Sequence, residues 1–104
     1  MKILVVEDDQ NVAQSIHELL GLYHYAIDVV ADAETGLQMA AAFEYDLALV
    51  DIGLPGLDGL ELCAQLRQAG QTLPILLLTG QNREGPQKAA ALNAGADDYV
   101  SKPF

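Results

Sequence analysis

The sequence predicts an α/β domain built on a doubly wound, five-stranded parallel sheet. Two observations lead there. Short apolar runs alternate with stretches of helical period along the whole chain, in the order (βα)4β. Three of those runs, the first, third and fourth, are continuously apolar, as parallel strands covered on both faces must be. Right-handed crossovers between them then place helices on both sides of the sheet.

The elements follow in order. Lys2–Val6 (KILVV) is a buried strand. From Asn11 the pattern becomes helical, with Val12, Ile16, Leu19, Leu20 and Tyr23 as one apolar stripe and Gly21 near the end. Ala26–Ala31 (AIDVVA) is the second strand, and Asp28 makes it alternate as an edge strand would. Asp32 is placed to cap a helix that runs to about Phe43. Asp46–Asp51 (DLALVD) is the third strand, and Asp58 caps a helix from Gly59 to about Gln68. Pro74–Thr79 (PILLLT) is the fourth strand, with proline at its start, where a missing N–H is tolerated. Pro86 and Gly95 bracket an Ala-rich fourth helix, and Asp97–Lys102 (DDYVSK) is the fifth strand. The chain is read as one domain, residues 1–104, truncated after strand five, where a fifth helix would be expected to cover the sheet.

Composition narrows the function. Of 104 residues 51% are hydrophobic, enough for one folded core. Fifteen acids against five bases give a net charge of −10, which repels a phosphate backbone and argues against direct nucleic-acid contact. No apolar run approaches the length that spans a bilayer, and MKILVVEDDQ lacks the form of a signal peptide. Cys63 is the single cysteine, so there is neither a disulfide framework nor a cysteine-based zinc site, in keeping with a cytoplasmic setting.

In an open parallel sheet the ligand site lies beyond the carboxyl ends of the strands, at the point where strand order reverses. Strand one delivers Glu7, Asp8 and Asp9 there, strand three Asp51, strand four Thr79 and strand five Lys102. In the flavodoxin-like order 2-1-3-4-5, Glu7 and Asp8 stand beside Asp51. Three carboxylates that close raise one another's pKa unless a cation joins them. Mg2+ favours one or two carboxylates, waters and a phosphate oxygen. Asp51 is then a carboxylate nucleophile able to form an acyl phosphate, with the Lys102 ammonium and the Thr79 hydroxyl suited to the phosphoryl group. Asp9 and Asp58 are read only as turn formers or helix caps. A flavin-binding electron carrier is disfavoured, because EDDQN after strand one would repel a phosphate. A phosphohydrolase is disfavoured because Gly53 stands where a second acid would be needed.

The stretches ILVVEDD, DLALVDIGLPGLDGLEL, PILLLTG and GADDYVSKPF resemble the receiver domain of bacterial two-component response regulators, and the last most resembles the OmpR/PhoB class. The resemblance implies that Asp51 is the phosphoacceptor. It implies that Glu7, Asp8, Asp51 and the Gly53 carbonyl hold Mg2+, that Lys102 pairs with the phosphoryl group, and that Thr79 and Tyr99 form the switch. It implies a sensor histidine kinase as partner, with Asn11 and Ser15 as contact residues. It also implies a homodimer of the complete regulator, with Asp97 and Asp98 facing basic residues. Such a domain assists its own phosphorylation and dephosphorylation and is not a turnover enzyme. Its output is transcriptional, through an attached or partner effector. The segment Thr79–Gly95 departs from the family pattern by one extra residue, and Gly80 stands where alanine is usual.

Overall fold

The computed structural model describes residues 1–80 and 86–101. The elements are β1 (Lys2–Val6), α1 (Gln10–Gly21), β2 (Ala26–Val30), α2 (Ala33–Ala42), β3 (Leu47–Asp51), α3 (Gly59–Gln68), β4 (Ile75–Thr79), α4 (Pro86–Asn93) and β5 (Asp98–Ser101). The strands form one sheet in the order β2-β1-β3-β4-β5, every neighbouring pair parallel. The expected sheet and strand order are therefore present, and the three continuously apolar strands are the three interior ones.

Side-chain alternation divides the core in two. Leu4, Val6, Ala48, Val50, Ile75 and Leu77 face a cluster that contains Ala40 of α2, Leu62, Cys63 and Leu66 of α3 and Ala91 of α4. Ile3, Val5, Leu49 and Leu78 face Ile16 of α1. Cys63 is fully buried, and burial pushes its thiol pKa up, so it behaves as a small hydrophobe rather than a nucleophile.

Three helices start on aspartate caps. Asp9 Oδ1 accepts the N–H groups of Asn11 and Val12, Asp32 Oδ1 that of Thr35 at 2.7 Å, and Asp58 Oδ1 that of Glu61 at 2.9 Å. Each satisfies donors that a first helical turn leaves unpaired. The Thr35 N–H holds the Asp32 carboxyl below the usual carboxylate range.

One part of the expected α1 stripe departs from the core. Ile16 is buried, but Leu19 is 50% and Tyr23 62% exposed. Leu19 lines an open groove of about 120 Å3 with Ile16, Leu20, Leu49, Leu78 and Val100, over which no helix packs among the described residues. Tyr23 lies past the end of α1, where its ring stacks on Tyr25 at 5.9 Å.

At the β2 edge, Asp28 accepts the Tyr45 hydroxyl at 2.7 Å, and Lys2 Nζ lies 3.9 Å from the same carboxylate and 5.1 Å from the Tyr45 ring centroid. Burial, then the hydrogen bond to Asp28 and its charge, push the Tyr45 phenol up to about 12. A raised phenol pKa contributes stability that is intact below pH 10 and is lost as pH climbs toward 12. In a phenolate absorbance titration, Tyr45→Phe is expected to remove the last tyrosine to ionise, and Asp28→Asn to bring that phase to lower pH.

Candidate functional site

The site is assembled by strand register. Val6 pairs with Val50 across β1 and β3, so the next residues, Glu7 and Asp51, leave the sheet side by side. Asp51 pairs in turn with Leu78 of β4, which puts Thr79 one step further along the adjacent strand. The Ile52 N–H extends that ladder to the Leu78 carbonyl at 3.0 Å, and the Glu7 N–H extends the other side to the Val30 carbonyl at 3.0 Å. Carboxylate oxygens of Glu7, Asp8 and Asp51 all lie within 4.8 Å of one another.

The environments of the three acids differ. Glu7 is 2% and Asp51 7% exposed, whereas Asp8 is exposed. The Asp9 N–H donates to Glu7 Oε2 at 3.3 Å, and the Gly53 N–H donates to Asp51 Oδ1 at 3.1 Å. Two buried carboxylates and a third at the solvent edge concentrate negative charge in a region of low dielectric, an arrangement that favours a bound cation. The donor set suits Mg2+: carboxylate oxygens only, gathered within 4.8 Å of one another. Exposure of Asp8 leaves a side open for water and for a phosphate oxygen.

The expected phosphoryl-side and switch residues divide. Thr79 is 1% exposed, and its hydroxyl donates to the Ser101 hydroxyl at 3.4 Å. Tyr99 is half-buried against the core on the α2–α4 side, two residues before Ser101 along β5. Thr79 pairs with Ser101 and Leu77 with Tyr99, so the four share one face of the sheet by alternation. Lys102 lies outside the described residues, as do residues 81–85 of the longer Thr79–Gly95 segment.

The expected partner residues also divide. Asn11 and Ser15 are exposed on α1, with the Ser15 hydroxyl donating to the Asn11 carbonyl at 3.0 Å. Asp98 is exposed at the start of β5. Asp97 is engaged within the chain, although its side chain is 61% exposed. Its Oδ2 accepts from the Arg67 guanidinium at 3.0 Å and from the Ile75 N–H at 2.8 Å. The basic partner comes from within the chain, on α3.

Three residues that shape the sheet and its site carried no signal in the amino-acid sequence alone. Ser101 is an ordinary strand residue until β4–β5 pairing sets it opposite Thr79. Arg67 reads as a surface cation near a helix C-terminus. Gly59 reads as a position after a cap, yet its N–H donates to the Ile52 carbonyl at 3.1 Å. A Cβ there would sit 2.8 Å from the Asp51 carbonyl carbon and from Ile52 Cα. Only glycine lets the first turn of α3 dock on the backbone that carries Asp51.

Comparison with known proteins agrees with this geometry. Residues 3–104 match the model of the response regulator receiver domain family. The chain is 51% identical over 104 residues to the protein RcaC of Microchaete diplosiphon and 44% identical to the two-component response regulator PhoP of Pseudomonas aeruginosa. All of this chain is covered in both alignments, but it spans only 16% and 46% of the length of those relatives. Among solved structures, a response regulator from Chloroflexus aurantiacus superposes with a TM-score of 0.93 at 39% identity, covering 99% of this chain and 85% of that one. The response regulator TrrA of Thermotoga maritima, in complex with Mg2+-BeF, superposes with a TM-score of 0.87 at 34% identity, covering 99% and 87%. The chain belongs to the response regulator receiver domain family of two-component signal transduction.

The close docking of α3 gives a test. Gly59→Ala is expected to destabilise the domain by about 1–3 kcal/mol through overpacking. For a chain of this size each kcal/mol moves the melting temperature by roughly 4–8 °C. Calorimetric melting of the purified variant checks it.

Proposed function

We propose that this domain accepts a phosphoryl group from a phosphohistidine of a sensor histidine kinase onto Asp51. So modified, it reshapes the face formed by α4 and β5 and controls an attached or partner effector of transcription in the cytoplasm. The observation that carries this reading is the convergence of Glu7, Asp8 and Asp51 within 4.8 Å at the carboxyl ends of β1 and β3. Membership in the receiver family supports it, as does the Mg2+-BeF complex of TrrA.

In this reading Glu7, Asp8, Asp51 and the Gly53 carbonyl hold Mg2+, which when bound neutralises charge on the transferring phosphoryl oxygens. The protein's own residues do the rest. The Gly53 N–H orients the Asp51 carboxylate through Oδ1. A carboxylate oxygen of Asp51 attacks phosphorus, the N–P bond breaks, and its electron pair returns to the imidazole, which holds one proton as it leaves neutral. Thr79 exchanges its Ser101 contact for a phosphoryl oxygen, Tyr99 follows inward, and the Lys102 ammonium pairs with the phosphoryl group. Water attack on phosphorus later releases inorganic phosphate and restores the carboxylate. The domain assists these steps once per cycle and is not a turnover enzyme. Asn11 and Ser15 meet the kinase, and the complete regulator pairs with a second copy, with Asp97 and Asp98 facing basic residues.

Incubation with Mg2+ and acetyl phosphate, followed by intact mass, is expected to show a gain of one phosphoryl group. The gain should vanish in Asp51→Asn and in the presence of a chelator. No gain in the folded parent protein would overturn the proposal. By calorimetric titration, Asp8→Asn is expected to weaken Mg2+ binding on the order of tenfold or more; unchanged affinity would remove Asp8 from the metal site.

A further inference from the structure

At the end of the sheet opposite the acidic site, one side chain ties three segments together. The Arg67 guanidinium donates from Nε to the Gly95 carbonyl at 2.8 Å and from one terminal nitrogen to the carbonyls of Gln71 at 3.1 Å and Leu73 at 2.7 Å. Its other terminal nitrogen reaches Asp97 at 3.0 Å. The same Asp97 oxygen accepts the N–H of Ile75, the first residue of β4. The clasp therefore joins the turn before β4 to the turn before β5. It is built for this cation. Gly95 has φ +99°, and a Cβ there would lie 2.7 Å from Arg67 Cγ, so a larger residue would block the path of the guanidinium.

What the clasp holds is an edge. β5 is four residues long and, among the described residues, pairs with β4 alone. An edge strand is held in register by a single ladder and its side-chain packing, and a slip of one residue would move every side chain to the other face. Tyr99 would then leave the α2–α4 side, and Ser101 would no longer lie opposite Thr79. We propose that Arg67 is a positioning residue for the switch: by clasping the turn before β5, it holds that strand in the one register that puts Tyr99 and Ser101 on the face of Thr79. This rests on the functional reading above, because it assigns Arg67 to the coupling between the phosphoryl site and Tyr99. The guanidinium lies at the far end of the strands, so it takes no part in the transfer itself.

The test uses Arg67→Ala and Asp97→Asn; the second keeps an acceptor for the Ile75 N–H and decides the matter if the first does not fold. Ring-labelled tyrosine is followed by NMR, with Tyr99 assigned through Tyr99→Phe, and Asp51 phosphorylation is followed by intact mass. Both variants are expected to take up a phosphoryl group as the parent does, while the phosphorylation-linked shift of the Tyr99 resonance is lost. Loss of a charge-assisted hydrogen bond should make the Val100 and Ser101 amides exchange on the order of tenfold faster. The Val5 and Leu49 amides should keep the parent rate. A lower melting temperature with an unchanged Tyr99 response would overturn the proposal and leave Arg67 a stabilising residue only. So would unchanged exchange in β5. If the parent gains no phosphoryl group, the functional reading fails by itself. The clasp is then judged on β5 exchange and on whether the Tyr99 resonance of the unmodified variants leaves its parent position.

Discussion

The pairing of β1 with β3 is the constraint on which the site depends. These strands are not consecutive in the chain; β2 is sent to the outside, and the order reverses at their junction. That junction has no helix crossing its carboxyl end, because the crossovers to either side leave in opposite directions. The ladder that sets Val6 opposite Val50 decides that Glu7 meets Asp51. A shift of one residue in that register would separate the buried acids and turn the apolar side chains of both strands to the wrong layers.

Bringing these acids together costs free energy, and the surrounding backbone shows how the cost is limited. Both buried carboxylates accept backbone N–H groups, from Asp9 and Gly53, in the short turns that follow their strands. The α3 helix is pressed against the end of β3 through Gly59, which fixes the peptide that follows Asp51. The apolar layers on both faces provide the stability against which this concentration of charge is held. The nucleophile candidate thus stands on a rigid strand end with its orientation set by the turn, an arrangement suited to a reaction that demands positioning more than covalent chemistry.

The two ends of the sheet have different work. The carboxyl ends carry the acids and the Thr79–Ser101 hydroxyl pair. The amino ends of β4 and β5 carry a cation, a carboxylate and turn carbonyls joined by Arg67. Between them runs β5, whose side chains alternate between Val100 on the α1 side and Tyr99 on the α4 side. A short edge strand transmits register from one end to the other because its residues are joined through a single ladder. The edge is also where the two layers differ most: α4 packs against β5 on one side, and an open apolar groove reaches Val100 on the other.

Much of this was legible in the amino-acid order. Continuous apolar runs identified the interior strands, the single Asp28 marked β2 as an edge, and Asp9, Asp32 and Asp58 announced helix starts, because these effects act over a few neighbouring residues. The acids and the hydroxyl of the site were legible too, since each closes a strand and ligands gather beyond the carboxyl ends of a parallel sheet. Residues whose roles come from distant segments were not. Arg67 and Asp97 are 30 positions apart, and nothing local distinguishes them from solvated charges. Gly59 is required only because Asp51 and Ile52 lie beneath it, and Ser101 only because β5 lies beside β4. Leu19 and Tyr23 fit a helical stripe by period, but burial depends on what packs against the stripe. Sequence by itself determined the elements, their order and the chemistry at the strand ends, because periodicity and capping are local. Tertiary structure decided register, close backbone approach and which charges meet, because those arise only when segments far apart in the chain are packed together.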